Sequence, residues 1–488
     1  MSQYWILAAI LLPVLGGILI PVLPFGKRNR MLWYIEAIVL LTSLIVGNLL
    51  LMGTTEVFDV VRFVNNLSIS FKIDGMTMVF AGLVAILWPL ATLYSFEYME
   101  HEDHEKTFFL FYTVTYGVTL GISFASDILS MYFFYELLTL VTVPLVMHTL
   151  TREAILAVRR YLYYSIGGAA FALMGMIFMM VYGESCDFIL GGSLTELAIR
   201  EHGDLLLWIY FFSFMGFGVK AAIFPLSSWL PQAGVAPTPV TALLHAVAVV
   251  NAGAFAIIRL TYYCFGTEFL AGTWVQNAAM ALTMFTIVYG CSRAVKERQI
   301  KRRLAWSTVS NLSYILFGAV MMTPQGMVGA LAHFVFHGFM KICSFLCAGA
   351  FMHQTGKKYI YEMDGMGRTM KITFGCFAVS ALGLMGVPGF AGFISKWNLT
   401  AAAVESGNTL AYGGVACLLI SALLTAIYML SIVRRAFFPN ETETGITAKD
   451  PGWKMCLPLL VCAACTVLLG FCSEPLITFF RDVARGMY

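Results

Sequence analysis

The sequence predicts an all-α polytopic membrane protein of about fourteen transmembrane helices. Apolar runs of about 18 or more residues, each long enough to cross a bilayer core, recur along nearly the whole 488-residue chain. Only 12% of residues are charged and 59% are hydrophobic, roughly half the charge of a soluble domain. The alternating pattern of about ten residues that marks a membrane β-barrel is absent.

Reading apolar runs between charged or Gly/Pro-rich breaks places spans near 4–23, 33–52, 76–96, 108–125, 128–149, 160–183, 205–230, 237–264, 275–292, 304–322, 327–350, 372–403, 410–433 and 453–472. The first, YWILAAILLPVLGGILIPVL, lacks a basic flank and a small-residue cleavage site, so it is expected to be retained as a span. Between spans two and three, FDVVRFVNNLSISFKID alternates and is β-rich, which predicts a hairpin outside the membrane. The remaining loops are too short for a soluble domain.

Charge tests the count. If the loops alternate sides, those after the odd-numbered spans hold 21 of the 30 Lys/Arg, among them KRNR at 27–30 and RAVKERQIKRR at 293–303, and the opposite side holds five. The positive-inside rule then puts both termini outside the cytoplasm. The 11 cysteines lie mostly inside apolar runs, and Cys462 and Cys465, although at redox-motif spacing, are read as small packing residues.

Four basic residues remain within spans: Lys220, Arg259, Lys341 and Lys396. Arg259 lies near a span end and is expected to snorkel to the interface. Among acids, Glu136 in MYFFYELLTLV is the clear intramembrane case, with Glu36 placed in the first turn of its span. A charge near a helix centre costs about 2.5–3.5 kcal/mol on insertion scales, and such residues face bundle interiors and ion pathways. The bland alternative is a static Glu–Lys pair that locks helices together.

His333, His337 and Lys341 recur every four residues, so they share one helix face over roughly 12 Å of rise. The stripe is read as a proton or ion relay, with structural hydrogen bonding and half of a zinc site as alternatives. In GVKAAIFPLSSWLPQ, Pro225 follows Lys220; in GLMGVPGFAGFISKW, Pro388 precedes Lys396. Each proline predicts an interrupted helix in the membrane, tolerated only where the freed backbone is buried in protein or lines a wet cavity. Paired interruptions point to a pathway built from inverted repeats.

YELLTL around Glu136, VKAAIFPLSSWLP, APTPVTALLHAVAVVNAG, the HxxxHxxxK stripe and GVPGFAGFISKW together resemble the antiporter-like subunits of the complex I superfamily, from about residue 70 to 435. That group comprises proton-pumping subunits of respiratory complex I, membrane-bound hydrogenase subunits and large subunits of Mrp-type Na⁺/H⁺ antiporters. The resemblance implies two inverted five-helix repeats, spans 4–8 and 9–13, with spans seven and twelve broken. It divides the chain into N-terminal spans (1–107), a first half-channel (108–264), a second (275–435) and a C-terminal span with tail (436–488). It implies that Glu136 pairs with Lys220, that His245 with water links this half to a central axis of His333, His337 and Lys341, and that Lys396 faces the exit. Two departures stand out. Asn251 occupies a position where shorter relatives carry lysine, and Lys396 is the lysine version of a site that is glutamate in some relatives. No long lateral helix is expected after span fourteen.

No Cys cluster, P-loop or Rossmann glycine pattern is present. Iron–sulfur clusters or nickel are therefore expected only in partner subunits, and no nucleic-acid partner is expected. The sequence favours an ion-translocating subunit, for H⁺ and as a second candidate Na⁺, in the cell membrane. The host is a redox-driven pump, either a complex I-like oxidoreductase or an energy-converting hydrogenase, with paralogues, small membrane subunits and a peripheral redox arm as partners. The alternatives are an Mrp-type secondary antiporter and a purely structural subunit.

Overall fold

The computed structural model describes residues 2–63, 67–439 and 448–488. It is almost entirely helical. The chain opens with α1 (Ser2–Leu19) and α2 (Arg28–Met52), followed by strands β1 (Phe58–Arg62) and β2 (Ser68–Phe71). Next come α3 (Gly75–Tyr98), α4 (Glu105–Phe124), α5 (Ile128–Val146), α6 (Arg152–Tyr182), α7 (Glu196–Gly218), the short α8 (Trp229–Ala233), α9 (Thr238–Ala246) and α10 (Val249–Ile258). A π-helical turn (Arg259–Phe265) and α11 (Thr267–Leu270) lead to α12 (Trp274–Lys296), α13 (Ile300–Val320) and α14 (Pro324–Thr355). The chain closes with α15 (Met366–Thr369), α16 (Lys371–Met385), α17 (Ala391–Glu405), α18 (Thr409–Phe437), α19 (Trp453–Phe471) and α20 (Glu474–Ala484).

Several helices begin where the sequence supplies a capping oxygen: Asp74 accepts from Thr77 N, Asp127 from Ser130 N and Thr323 from Gly326 N. Each satisfies one of the amides that a helix start leaves unpaired. Ten helical segments among the described residues are long and apolar enough to cross a membrane, and the protein is a multi-pass membrane protein. Segments that fall short do so for identifiable reasons. α13 carries Lys301, Arg302 and Arg303 in its first turn, and α16 and α17 are two halves separated by a break. The expected hairpin is present, β1 and β2 pairing antiparallel from Phe58 opposite Phe71 to Arg62 opposite Ser68; its turn at 64–66 lies outside the described residues.

α14 is the axis. Its most apolar stretch is wholly buried, as is the segment Thr238–Phe265, whereas α2, α6 and α18 bury only about a third of theirs and form the rim. α14 packs against α3, α9, α13, α16, α17, α19 and α20. The amphipathic α20, which the sequence reading passed over, buries Ile477, Phe480 and Val483.

Three local expectations are corrected. Arg259 does not snorkel: it is fully buried and held by Asp74 through two bonds of 2.7 Å. Glu36 lies about two turns inside α2 rather than in its first turn, with one carboxylate oxygen buried and unpaired. The eighth predicted span is interrupted at Val247 and Ala248, whose dihedrals are non-helical, although no proline or glycine marks the place.

Candidate functional site

Lys220 lies in the irregular segment between α7 and α8, which also contains Pro225. The freed backbone groups of this break find side-chain partners: Trp229 Nε1 donates to Val219 O at 2.8 Å, Tyr135 Oη donates to Phe217 O at 2.9 Å, and Phe224 N donates to Thr286 Oγ1 at 3.2 Å. These bonds meet the rule that non-helical backbone at membrane depth must be satisfied by protein or water. α10 approaches here so closely that only glycine fits at 253, where a Cβ would stand 2.5 Å from Ala221 N.

The Lys220 side chain is 1% exposed. Its ammonium donates to Tyr135 O and sits 3.4 Å from the centre of the Tyr135 ring. Glu136, the next residue on α5, leaves one carboxylate oxygen buried and unpaired. Among the described residues no Glu136–Lys220 ion pair forms within 4.0 Å. The two groups share a neighbourhood through adjacent residues of α5.

At the second break, between α16 and α17, Pro388 lies in the connecting turn, with Gly386 and Gly389 at φ +87° and +89°. Lys396 on α17 folds back to donate to Leu384 O at 2.6 Å and Met385 O at 3.1 Å. These are last-turn carbonyls of α16, the negative end of a half-helix dipole, where a cation is favoured.

The stripe on α14 is continuous and wholly buried, His333, His337 and Lys341 each being fully inaccessible. Lys341 Nζ donates to Leu304 O on α13 at 3.1 Å, and His333 Nδ1 shares a 2.9 Å hydrogen bond with Ser395 Oγ on α17. The His333 ring stacks between those of Tyr314, 5.0 Å away, and His337, 5.8 Å away. Both nitrogens of His337 and His333 Nε2 have no protein partner. His245 on α9 is likewise buried with both nitrogens unpaired, its ring 4.9 Å from that of Phe345 on α14. No group of three or more His, Cys, Asp or Glu that could hold a metal ion occurs among the described residues. The zinc alternative for the histidine pair therefore has no third ligand.

Asn251 has a specific task at the α9–α10 break. Its Nδ2 donates to Ala246 O at 3.0 Å, a carbonyl the interruption leaves near the end of α9. We expect Asn251→Ala to cost about 1–3 kcal/mol by orphaning that carbonyl. Asn251→Lys, which keeps a donor at this position, should transport at near-normal rates. Thermal unfolding of the detergent-solubilised complex and vesicle transport assays check the two halves of this expectation.

Sequence reasoning missed Tyr135, Tyr314 and Ser395, which carry no charge and look like ordinary core residues. It also assigned Lys301 wholly to a loop cluster. Lys301 is 9% exposed, donates to Ala236 O at 2.6 Å, and helps line a cleft of about 630 Å³ with Tyr98, Glu102, Arg152 and Glu153. The cleft opens where α9 begins and α14 ends.

The family model described as "NADH:quinone oxidoreductase/Mrp antiporter, TM" matches residues 125–425, which include every residue of the buried line. The chain belongs to this NADH:quinone oxidoreductase/Mrp antiporter family. A second model, "NADH-Ubiquinone oxidoreductase (complex I), chain 5 N-terminus", matches residues 63–109. Among relatives of this antiporter family, NADH-quinone oxidoreductase subunit N of Desulforudis audaxviator is 28% identical over 432 residues, covering 84% of this chain and 83% of its own. NAD(P)H-quinone oxidoreductase chain 4 3 of Picosynechococcus is 27% identical over 469 residues, covering 92% and 82%. Na(+)/H(+) antiporter subunit A1 of Staphylococcus aureus is 25% identical over 456 residues, 88% of this chain and 56% of that protein. The fold is that of chains in the Mrp complex from Dietzia (TM-score 0.84, 19% identity, covering 100% and 97%) and in an archaeal membrane-bound sulfane sulfur reductase (0.85, 21%, covering 99% and 97%).

Proposed function

We propose that the chain is the ion-translocating, antiporter-like membrane subunit of a redox-driven pump. Protons move along Glu136, Lys220, His245, the Lys341–His337–His333 stripe and Lys396. One observation carries the path: along it Glu136, His245, Asn251, His333 and His337 each keep at least one buried polar atom without a protein partner. Buried polar groups are rarely unsatisfied in native proteins, and water takes such places where the site is polar. A hydrated corridor is the arrangement these groups call for, and each can pass a proton to the next through it.

The two breaks, at Pro225 and Pro388, support two inverted five-helix repeats within fourteen spans, 108–264 and 275–435. Residues 1–107 and 436–488 flank them. The asymmetry of basic residues supports termini outside the cytoplasm of a cell membrane, and the cleft beside Lys301 then opens to the cytoplasm as the entry. The partners are antiporter-like paralogues, small membrane subunits and a peripheral arm that holds the iron–sulfur clusters or nickel. H⁺ is the favoured ion.

The test is ion translocation by the purified complex in vesicles. His337→Leu, which removes two unpaired nitrogens without changing helix propensity greatly, is expected to lower the rate about tenfold or more while all subunits co-purify. Wild-type rates would leave the corridor without its central step. A second reading, a subunit of an Mrp-type secondary antiporter, is favoured by the likeness to Na(+)/H(+) antiporter subunit A1. Identification of co-purifying subunits, with iron and nickel content, separates the two.

A further inference from the structure

We propose that Tyr135 and Tyr314 are positioning residues for ion translocation, each holding the ammonium of a break lysine against the face of its ring. The inference rests on the reading of Lys220 and Lys396 as members of the ion line.

Lys220 Nζ stands 3.4 Å from the centre of the Tyr135 ring and Lys396 Nζ 5.4 Å from that of Tyr314. Both distances fall within the roughly 6 Å at which a ring quadrupole attracts a cation. Among the described residues these are the only two lysines over an aromatic face. Lys341, as buried as Lys220 and more so than the half-buried Lys396, has none. The arrangement therefore marks the two broken helices and not buried lysines in general.

The surroundings repeat as well. Each ammonium donates to backbone carbonyl oxygen, Lys220 to Tyr135 O and Lys396 to Leu384 O and Met385 O. Neither has a carboxylate within ion-pair distance among the described residues. Each tyrosine spends its hydroxyl on a backbone carbonyl of a neighbouring helix and not on the lysine, Tyr135 Oη donating to Phe217 O at 2.9 Å and Tyr314 Oη to Leu418 O at 3.4 Å. The ring face is left for the cation. A ring attracts an ammonium without the full countercharge of a carboxylate, so the lysine is held in place yet stays free to give up its proton. Tyr314 also stacks on His333, which sets Lys396 beside the end of the α14 stripe.

The experiment uses the intact complex in vesicles. Tyr135 or Tyr314 is replaced by phenylalanine, by phenylalanines bearing one to three fluorines, and by leucine, with Lys220→Ala and Lys396→Ala as references. Fluorine drains the ring face at almost constant shape, a change that a packing role would not register. Phenylalanine is expected to keep about half or more of the wild-type rate, the rate to fall stepwise with fluorine number, and leucine to lose about tenfold, as befits a desolvated cation–ring contact. Fluorinated rings that match phenylalanine, while the lysine variants fail to transport, overturn the inference and leave the ion line standing. Loss of transport with phenylalanine itself assigns the role to the hydroxyl and also overturns it. Lysine variants that transport at wild-type rates overturn the ion line and this inference together. If leucine prevents assembly, the fluorine series decides alone.

Discussion

Vesicles carrying the complex with Lys220→Ala are expected to translocate ions about tenfold or more slowly than wild type, while the subunits remain assembled. The two halves of this expectation have separate causes. Transport is expected to fall because, on the proposed reading, Lys220 is a proton-carrying group inside a helix break, 1% exposed and with no other lysine or histidine between Gly203 and Leu244 to take its place. Assembly survives because an ammonium at membrane depth is itself a burden of about 2.5–3.5 kcal/mol. Alanine removes it and gives up one carbonyl bond and one ring contact. The break does not depend on the lysine: Trp229, Tyr135 and Thr286 satisfy its backbone. Lys396→Ala should behave alike, with somewhat more loss of order because two carbonyls of α16 lose their donor. Normal transport with an assembled complex would remove Lys220 from the line; loss of the complex would favour the structural reading of the buried charges.

Arg259→Leu is expected to destabilise the protein by up to about 3–5 kcal/mol, the cost of breaking a buried ion pair, with Lys72, 3.6 Å from Asp74, left as the carboxylate's remaining partner. That is a large share of the roughly 5–15 kcal/mol that separates folded from unfolded chains. The guanidinium is fully buried, makes two 2.7 Å bonds to Asp74, and is packed among the rings of Phe188, Phe255 and Tyr263 at 4.6–5.1 Å. Asp74 in turn caps α3 through Thr77 N, so the pair ties the start of α3 to the π-helical turn after α10. Asp74→Asn with Arg259→Leu should cost less than Arg259→Leu alone, since no carboxylate is then left with Lys72 as its one cation. Thermal midpoints of the four-member cycle in detergent give the coupling; additive losses would show that the pair is not a unit.

The sequence by itself determined what is local. Span positions follow from the length of apolar runs, and the breaks at Pro225 and Pro388 follow from a missing amide and a fixed φ. The His333–His337–Lys341 face follows from helical periodicity, and the structure places it on one unbroken helix. The identities of the buried charges were legible for the same reason: an ionisable side chain in an apolar run is visible without knowing its neighbours.

Only the tertiary structure decided what each of those charges meets. Arg259 pairs with Asp74 across 185 residues, so a group expected to reach for solvent is instead fully enclosed. Lys220 meets the ring and carbonyl of Tyr135 rather than the adjacent carboxylate of Glu136, because successive helical residues point about 100° apart and the packing of α5 beside the break selects one of them. The interruption at Val247 carries no proline or glycine; it is held by tertiary contacts and by Asn251 bonding the freed carbonyl. Periodicity fixes which side chains share a face, but a burial pattern is blind to the partner across the interface, and in a bundle this apolar the partner decides the chemistry.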